Sequence, residues 1–157
     1  MARHEHVKIV CKNRKARFNF EIEETIEAGI VLVGSEVKSL RNGKANLSDS
    51  YAKFRAGEVF LVDAHISPYE QANRLNHEPL RDRKLLLHKR EMKKLMGKVA
   101  ERGFSLIPLQ IYFKGGKAKV LLGLARGKKA YDKREAIKKK DQRRELERLV
   151  KYRHRAS

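Results

Sequence analysis

Cysteine occurs once, at Cys11, so the chain has no internal disulfide and no CxxC pair for zinc, which fits a reducing compartment. No apolar run approaches the roughly 20 residues that a membrane-spanning helix needs. The first ten residues alternate charged and apolar side chains and lack the apolar core of a secretory signal, so a cytoplasmic location without a membrane partner is expected. There is no GxSxG elbow and no GxxxxGK[ST] loop, and the only Gly-Gly pair, Gly115-Gly116, suits a hairpin turn. Asp49, Ser50 and His65 are types found in almost any chain of this length, with no triad signature around them. His4-Glu5-His6 lacks the i, i+4 spacing of helical zinc ligands. The expectation is a non-enzyme with no metal and no cofactor.

Acid is scarce as well. Against 38 Lys+Arg stand 19 Asp+Glu, a net charge of +19 on 157 residues. Such an excess repels itself in a compact fold unless an anionic partner neutralises it, and nucleic acid is the first candidate. Disorder throughout is excluded, because 41% of residues are hydrophobic and fall in periodic runs. The charge divides unevenly at Ala125: residues 126–157 hold 14 Lys/Arg and 5 Asp/Glu, net +9 in 32 residues, while the first 125 carry net +10. Two units are therefore expected, a domain over 1–125 and a basic tail over 126–157. From Lys128 onward there is no Gly or Pro, and pairs such as Glu135 with Lys139 and Glu147 with Lys151 have helical spacing. With few apolar residues the tail reads as nascent helix, disordered when free and ordered on an anionic partner. Its apolar stripe is too thin for a bilayer or a calmodulin-like groove.

In the body, Phe18, Phe20 and Ile22 alternate with polar residues as in a half-buried strand. Ile26, Ile30 and Val33 at i, i+4, i+7 predict a short helix closed at Gly34, and Glu36–Arg41 a strand ending at Asn42-Gly43. A hairpin is expected over 52–66, turning at Ala56-Gly57, with Phe60, Val62, Ala64 and Ile66 on one face. Residues 67–84 read as a long connection. Met92, Leu95, Met96 and Val99 predict an amphipathic helix that stops at Gly103. Leu109, Ile111 and Phe113, then Lys114-Gly115-Gly116-Lys117, then Val120, Leu122 and Leu124 predict an antiparallel hairpin. About six strands and two helices without βαβ alternation favour a mainly β fold with two or three helices, a small antiparallel OB-type barrel.

Glu23 and Glu24 suit a helix N-terminus better than acid-base work. Glu36, flanked by Lys38 and Arg41, either orients cations toward RNA or forms a surface ion pair worth under about 1 kcal/mol. On that reading Glu36→Ala weakens RNA binding with little thermal cost. Asn13, Arg14, Lys15 and Arg17 before Phe18, and Arg126, Lys128, Lys129, Lys133 and Arg134 around Tyr131, interleave cations for phosphates with aromatics for unpaired bases.

The runs Asn13–Phe18 (NRKARF), Gly34–Arg41 (GSEVKSLR), Asp49–Ala52 (DSYA), Tyr69–Asn73 (YEQAN), Arg83–Lys89 (RKLLLHK) and Gly127–Arg134 (GKKAYDKR) resemble, in order and spacing, those of the small protein B (SmpB) family of bacterial tmRNA-binding proteins. The resemblance implies an OB-type barrel that grips the tRNA-like domain of tmRNA. It also implies delivery of alanyl-tmRNA with elongation factor Tu to stalled ribosomes for trans-translation, and a monomeric protein. Carried over by position, it assigns tmRNA contact to Asn13, Lys15, Glu36, Lys38, Arg41, Ser50, Tyr51, Leu87 and His88. It places Tyr131, Asp132, Lys133 and Arg134 near the decoding centre of the small subunit and Ile137, Lys138, Asp141 and Arg144 along the mRNA channel, with Lys128 and Lys129 belonging to the same decoding-centre and channel group. Tyr131 stands where relatives often have histidine, so stacking is kept there and a titrating imidazole is not. The rival readings are a ribosomal protein or general rRNA-binding protein, and a small ribonuclease using Glu36, His65 or His88.

Overall fold

The computed structural model describes residues 6–128 and 130–156, with backbone alone at 73–74, 101–102, 130–133, 136 and 156. Asn13 accepts the amide hydrogen of Ala16 on its Oδ1 at 3.2 Å and starts α1 (Arg14–Asn19), so Phe18 is helical and the first long strand begins only at Phe20. Strand β1 (Val7–Lys12) precedes this turn and β2 (Phe20–Ile30) follows it. The helix expected over Ile26–Val33 is strand instead. Ile26 and Ile30 are four apart, a spacing common to both periods, and the pairing of β2 with the last strand from Phe20 to Gly29 decides it. A Cβ added at Gly29 would stand 3.2 Å from the Leu86 Cβ, tighter than ordinary van der Waals contact, so glycine suits the close approach of the two strands there.

The expected strand over Glu36–Arg41 is a helix, α2 (Gly34–Arg41), whose buried face is Ser35, Glu36, Ser39 and Leu40. That face has helical spacing but is mostly polar, so hydrophobic periodicity missed it. The short β3 (Ala45–Asn46) leads to the hairpin β4 (Tyr51–Arg55) and β5 (Glu58–Val62). It turns through Ala56 at φ 51° and Gly57 at φ 77°, the two positive angles of a tight hairpin loop. Its inward residues are Val59 and Leu61, not Phe60 and Val62; Asp63 at φ 60° then shifts the register so that Ala64 and Ile66 are again buried, Ile66 in β6 (His65–Ile66). Residues 67–84 contain a 3-10 turn (Glu70–Leu75) and the start of β7 (Arg83–Leu86). The second amphipathic helix, α3 (Lys89–Arg102), ends as expected at Gly103, φ 65°. The hairpin β8 (Ser105–Lys114) and β9 (Lys117–Gly127) turns at Gly115-Gly116 as expected.

All pairings are antiparallel. The order β8-β4-β5-β7-β2-β9 closes on itself through β8 and β9, and β1 extends the other edge of β8. This ring is the mainly β, OB-like barrel read from the sequence, with more strands and with four α-helices among the described residues. Its interior is Val59, Leu61, Leu85, Leu106, Ile111, Val120, Leu122 and Leu124, and Leu95 of α3 packs on the same cluster. The last helix, α4 (Ala130–Ala156), spans about 40 Å at 1.5 Å per residue, and its described side chains are exposed. We expect Leu122→Ala to lower stability by about 2–5 kcal/mol, read as a lower urea midpoint with an unchanged denaturant slope.

Candidate nucleic-acid interface

Asn13, Lys15, Ser50 and Tyr51 line one groove of about 900 Å³, together with Phe20, Phe54 and Phe104. Their roles differ. Asn13 is buried and donates from Nδ2 to the Leu47 and Pro108 carbonyls at 3.2 and 2.9 Å, while Ser50 donates to the Leu47 carbonyl at 2.5 Å. These two frame the groove, and the exposed Lys15 and Tyr51 are free to meet a ligand. An aromatic ring beside ammonium groups suits an unpaired base and its phosphate.

Lys38 and Arg41 are exposed on α2, with the Lys38 ammonium 5.5 Å from the centre of the Tyr69 ring. Glu36 is not beside them on the surface. Its carboxylate is fully buried, accepting from the Val33 amide at 2.9 Å, from Arg81 Nη2 at 2.5 Å and from Arg83 Nε. Arg83 is equally buried, and it also donates to the Ala64 carbonyl at 2.7 Å and the Pro79 carbonyl at 3.1 Å. The surface ion pair expected for Glu36 is thus corrected to an internal one. The reason is the helical turn at Gly34, which points position 36 inward. Burial alone would raise the Glu36 carboxyl, but the bonds from Arg81, the Val33 amide and Arg83 outweigh it and hold it below the usual range.

Leu87 and His88 lie at the start of α3 beside a smaller recess of about 390 Å³ that also contains Glu27, Glu91 and Lys119. Glu27 is a site residue that the sequence reading missed. It accepts from the Tyr112 hydroxyl and from Lys114 at 3.4 Å; the Tyr112 bond is the main reason its carboxyl lies below the usual range. Only the strand geometry of β2 brings it opposite the cationic β8–β9 hairpin. Glu23 and Glu24, expected at a helix N-terminus, sit in mid-strand: Glu23 pairs with Arg126 at 3.3 Å and Glu24 with Lys94 and Lys98 at 2.9 and 2.8 Å.

On the tail, Arg134, Ile137, Lys138, Asp141 and Arg144 are exposed on α4, and Arg143 pairs with Glu147 at 3.4 Å. Lys128 joins the barrel by donating its amide hydrogen to the Asn19 carbonyl at 3.0 Å. Lys129 and the side chains of Tyr131, Asp132 and Lys133 lie outside the described residues, as do His4 and Glu5. Among the described residues no cluster of three His, Cys, Asp or Glu could hold a metal, and no helix is long and apolar enough to cross a membrane.

Fold and surface together define a basic, OB-like barrel with a charged helical extension. The family model described as "SmpB protein" matches residues 10–152. Proteins named SsrA-binding protein are similar over most of their length: 58% identity over 94% of this chain and 95% of the Shouchella clausii protein, and 59% over 93% and 94% for that of Geobacillus thermodenitrificans. A chain of the solved structure "tmRNA-SmpB: a journey to the center of the bacterial ribosome" superposes with a TM-score of 0.67 at 54% identity, covering 81% of this chain and 93% of that one. The chain belongs to the SmpB family.

The burial of both partners makes the stability consequence of the internal pair large. Glu36→Ala leaves Arg83 charged without its partner and should cost about 3–5 kcal/mol, against the small thermal cost expected for a surface pair. Because the folded carboxyl lies below its unfolded value of about 4.3, its contribution is complete above that pH and lost as pH falls through the folded value. Thermal melts of the wild type from pH 7 to pH 3 should therefore fall more steeply below about pH 4 than those of Glu36→Gln.

Proposed function

We propose that the chain binds the tRNA-like domain of tmRNA through its barrel and serves trans-translation, its tail reading an empty mRNA channel on a stalled ribosome. The observation that carries this reading is the 58–59% identity to SsrA-binding proteins across 93–94% of the chain. The physical chemistry agrees with it. A closed barrel presenting Lys15, Tyr51, Lys38, Arg41 and His88 on fixed elements suits a folded RNA read by shape and backbone. A tail with net +9 and no core of its own supports a division in which 126–157 is disordered when free and becomes helical along phosphates.

In this reading Asn13 and Ser50 shape the groove, and Leu87 and His88 form a second contact with Glu27 and Lys119. Lys128, Lys129, Tyr131, Asp132, Lys133 and Arg134 act near the decoding centre, and Ile137, Lys138, Asp141 and Arg144 along the channel. The protein works as a cytoplasmic monomer without catalysis of its own, alongside elongation factor Tu carrying alanyl-tmRNA. A salt titration of full-length protein against the tRNA-like domain, with an elongator tRNA as competitor, tests the core of this. Selective binding is expected; binding that the elongator tRNA competes away equally would leave a general RNA binder.

The tail should act after delivery. The double substitution Lys133→Ala with Arg134→Ala is expected to leave tmRNA affinity within about twofold while abolishing peptide tagging in a reconstituted translation reaction. A loss of affinity matching the loss of tagging would contradict the division of labour.

A further inference from the structure

Helix α2 is held in an unusual way for so short an element. Of its four buried residues only Leu40 is apolar. The other three each reach a different point of the segment from Ser67 to Arg83. Ser35 Oγ bonds His77 Nδ1 at 2.8 Å, and since His77 Nε2 lies 2.8 Å from the Ile66 carbonyl it must carry the proton there, leaving Nδ1 to accept from Ser35. Glu36 takes Arg81 and Arg83. Ser39 Oγ donates to the Ser67 carbonyl at 2.6 Å. The segment is itself closed by Asn76, which bonds both the amide and the carbonyl of Tyr69 at 2.8 and 2.7 Å.

Apolar contacts tolerate small rotations of a helix about its axis; hydrogen bonds weaken steeply off line and do not. At about 100° per residue, Arg41 projects from the side opposite Ser35, Glu36 and Ser39, while Lys38, about 60° round from Ser35, is exposed at the edge of the buried face. Any rotation of α2 therefore swings both cations, and Lys38 is further seated against Tyr69. Arg81, in contrast with Arg83, is partly exposed and reaches Glu36 from the rim, so the carboxylate sits between a surface and an interior guanidinium.

We propose that this polar seam, with the Glu36–Arg83 pair at its centre, is a rotational lock that aims Lys38 and Arg41 at RNA phosphates. Glu36, Arg83 and Ser39 are positioning residues that never touch the RNA. The proposal rests on the reading that the barrel binds the tRNA-like domain of tmRNA. It assigns to Glu36 a role through α2 in place of direct contact.

The test is filter binding of full-length protein to the tRNA-like domain between 50 and 300 mM salt. Six proteins are compared: wild type; Lys38→Ala with Arg41→Ala; Glu36→Gln; Ser39→Ala as the mild variant that keeps the ion pair; and each of the last two combined with Lys38→Ala and Arg41→Ala. Removing both cations should lower affinity roughly tenfold and reduce the slope of log affinity against log salt by about two. Glu36→Gln, measured at a temperature where circular dichroism shows it folded, should lose part of both affinity and slope. Ser39→Ala should lose less of each. Neither should weaken binding further when added to the cation-free variant, since the lock then has nothing to aim. A variant that is less stable but keeps the wild-type affinity and slope overturns the lock. So does a seam substitution that adds fully to the cation-free background, or a cation-free variant that binds like wild type. If the wild type does not prefer the tRNA-like domain to elongator tRNA, the proposed function fails instead, and the wild-type arm alone reveals it.

Discussion

The fold is organised by a charge that has nowhere to go. Arg83 is fully buried at the start of β7, and a guanidinium cannot shed its proton at any physiological pH, so its charge must be met inside the protein. Glu36 meets it, and that requirement dictates the neighbourhood. The chain must turn into a helix at Gly34 so that position 36 points inward, and the carbonyls of Ala64 and Pro79 must converge on the remaining guanidinium hydrogens. The long connection from Ser67 onward, which has little regular structure, is thereby tied to helix and barrel at once. Replacing the pair with apolar residues of similar volume could give a protein of equal stability. It would not fix the direction of α2 as these bonds do.

A net charge of +19 raises the question of how the barrel tolerates its own surface. Part of the answer is that acidic residues are spent locally and mostly in exposed pairs: Glu24 on two lysines of α3, Glu27 on Lys114, Glu58 on Lys84, Asp82 on Arg55. Exposed pairs of this kind contribute little to stability each. Their effect is on the field: they cancel charge on parts of the barrel and leave Lys15, Lys38, Arg41 and the tail as uncompensated positive regions. A charge pattern of this kind is what steers and orients a polyanion on approach.

How much of this was legible in the sequence depends on which physical signal carried it. The β8–β9 hairpin and α3 were read correctly, because their apolar residues follow a single period and end at glycines with positive φ. Residues 26–41 were inverted, strand for helix and helix for strand. Ile26 and Ile30 fit either period until a partner strand is known, and the inner face of α2 is made of serine and glutamate, which a hydrophobicity pattern reads as surface. The same blindness moved Glu36 outward, since a carboxylate buried by an arginine 47 residues away looks in sequence like any other charge, and it hid Glu27, whose partners Tyr112 and Lys114 lie on a strand 85 to 87 residues away. Asn13 and Ser50 were picked out by their resemblance to family motifs, and the structure gives the physical content: both hold the Leu47 carbonyl.

On the proposed function, α2 and α4 present cations to RNA in two different ways. In α2 three of the four buried residues make directional contacts, so the ordering entropy is lost during folding and, on the proposed lock, Lys38 and Arg41 arrive already aimed. In α4 the described side chains are exposed along 27 residues, with Leu146, Leu149, Val150 and Tyr152 uncovered. A helix with so little tertiary packing is marginal in water, and on the proposed function the partner it binds would supply much of its order. Rigid presentation gives affinity for one shape, whereas conditional order makes binding depend on whether a long anionic groove is vacant. On the proposed function, holding one particular RNA and then testing for an empty channel calls for both, and the strand β9 that precedes the helix ends at Gly127, with Lys128 still bonded to Asn19.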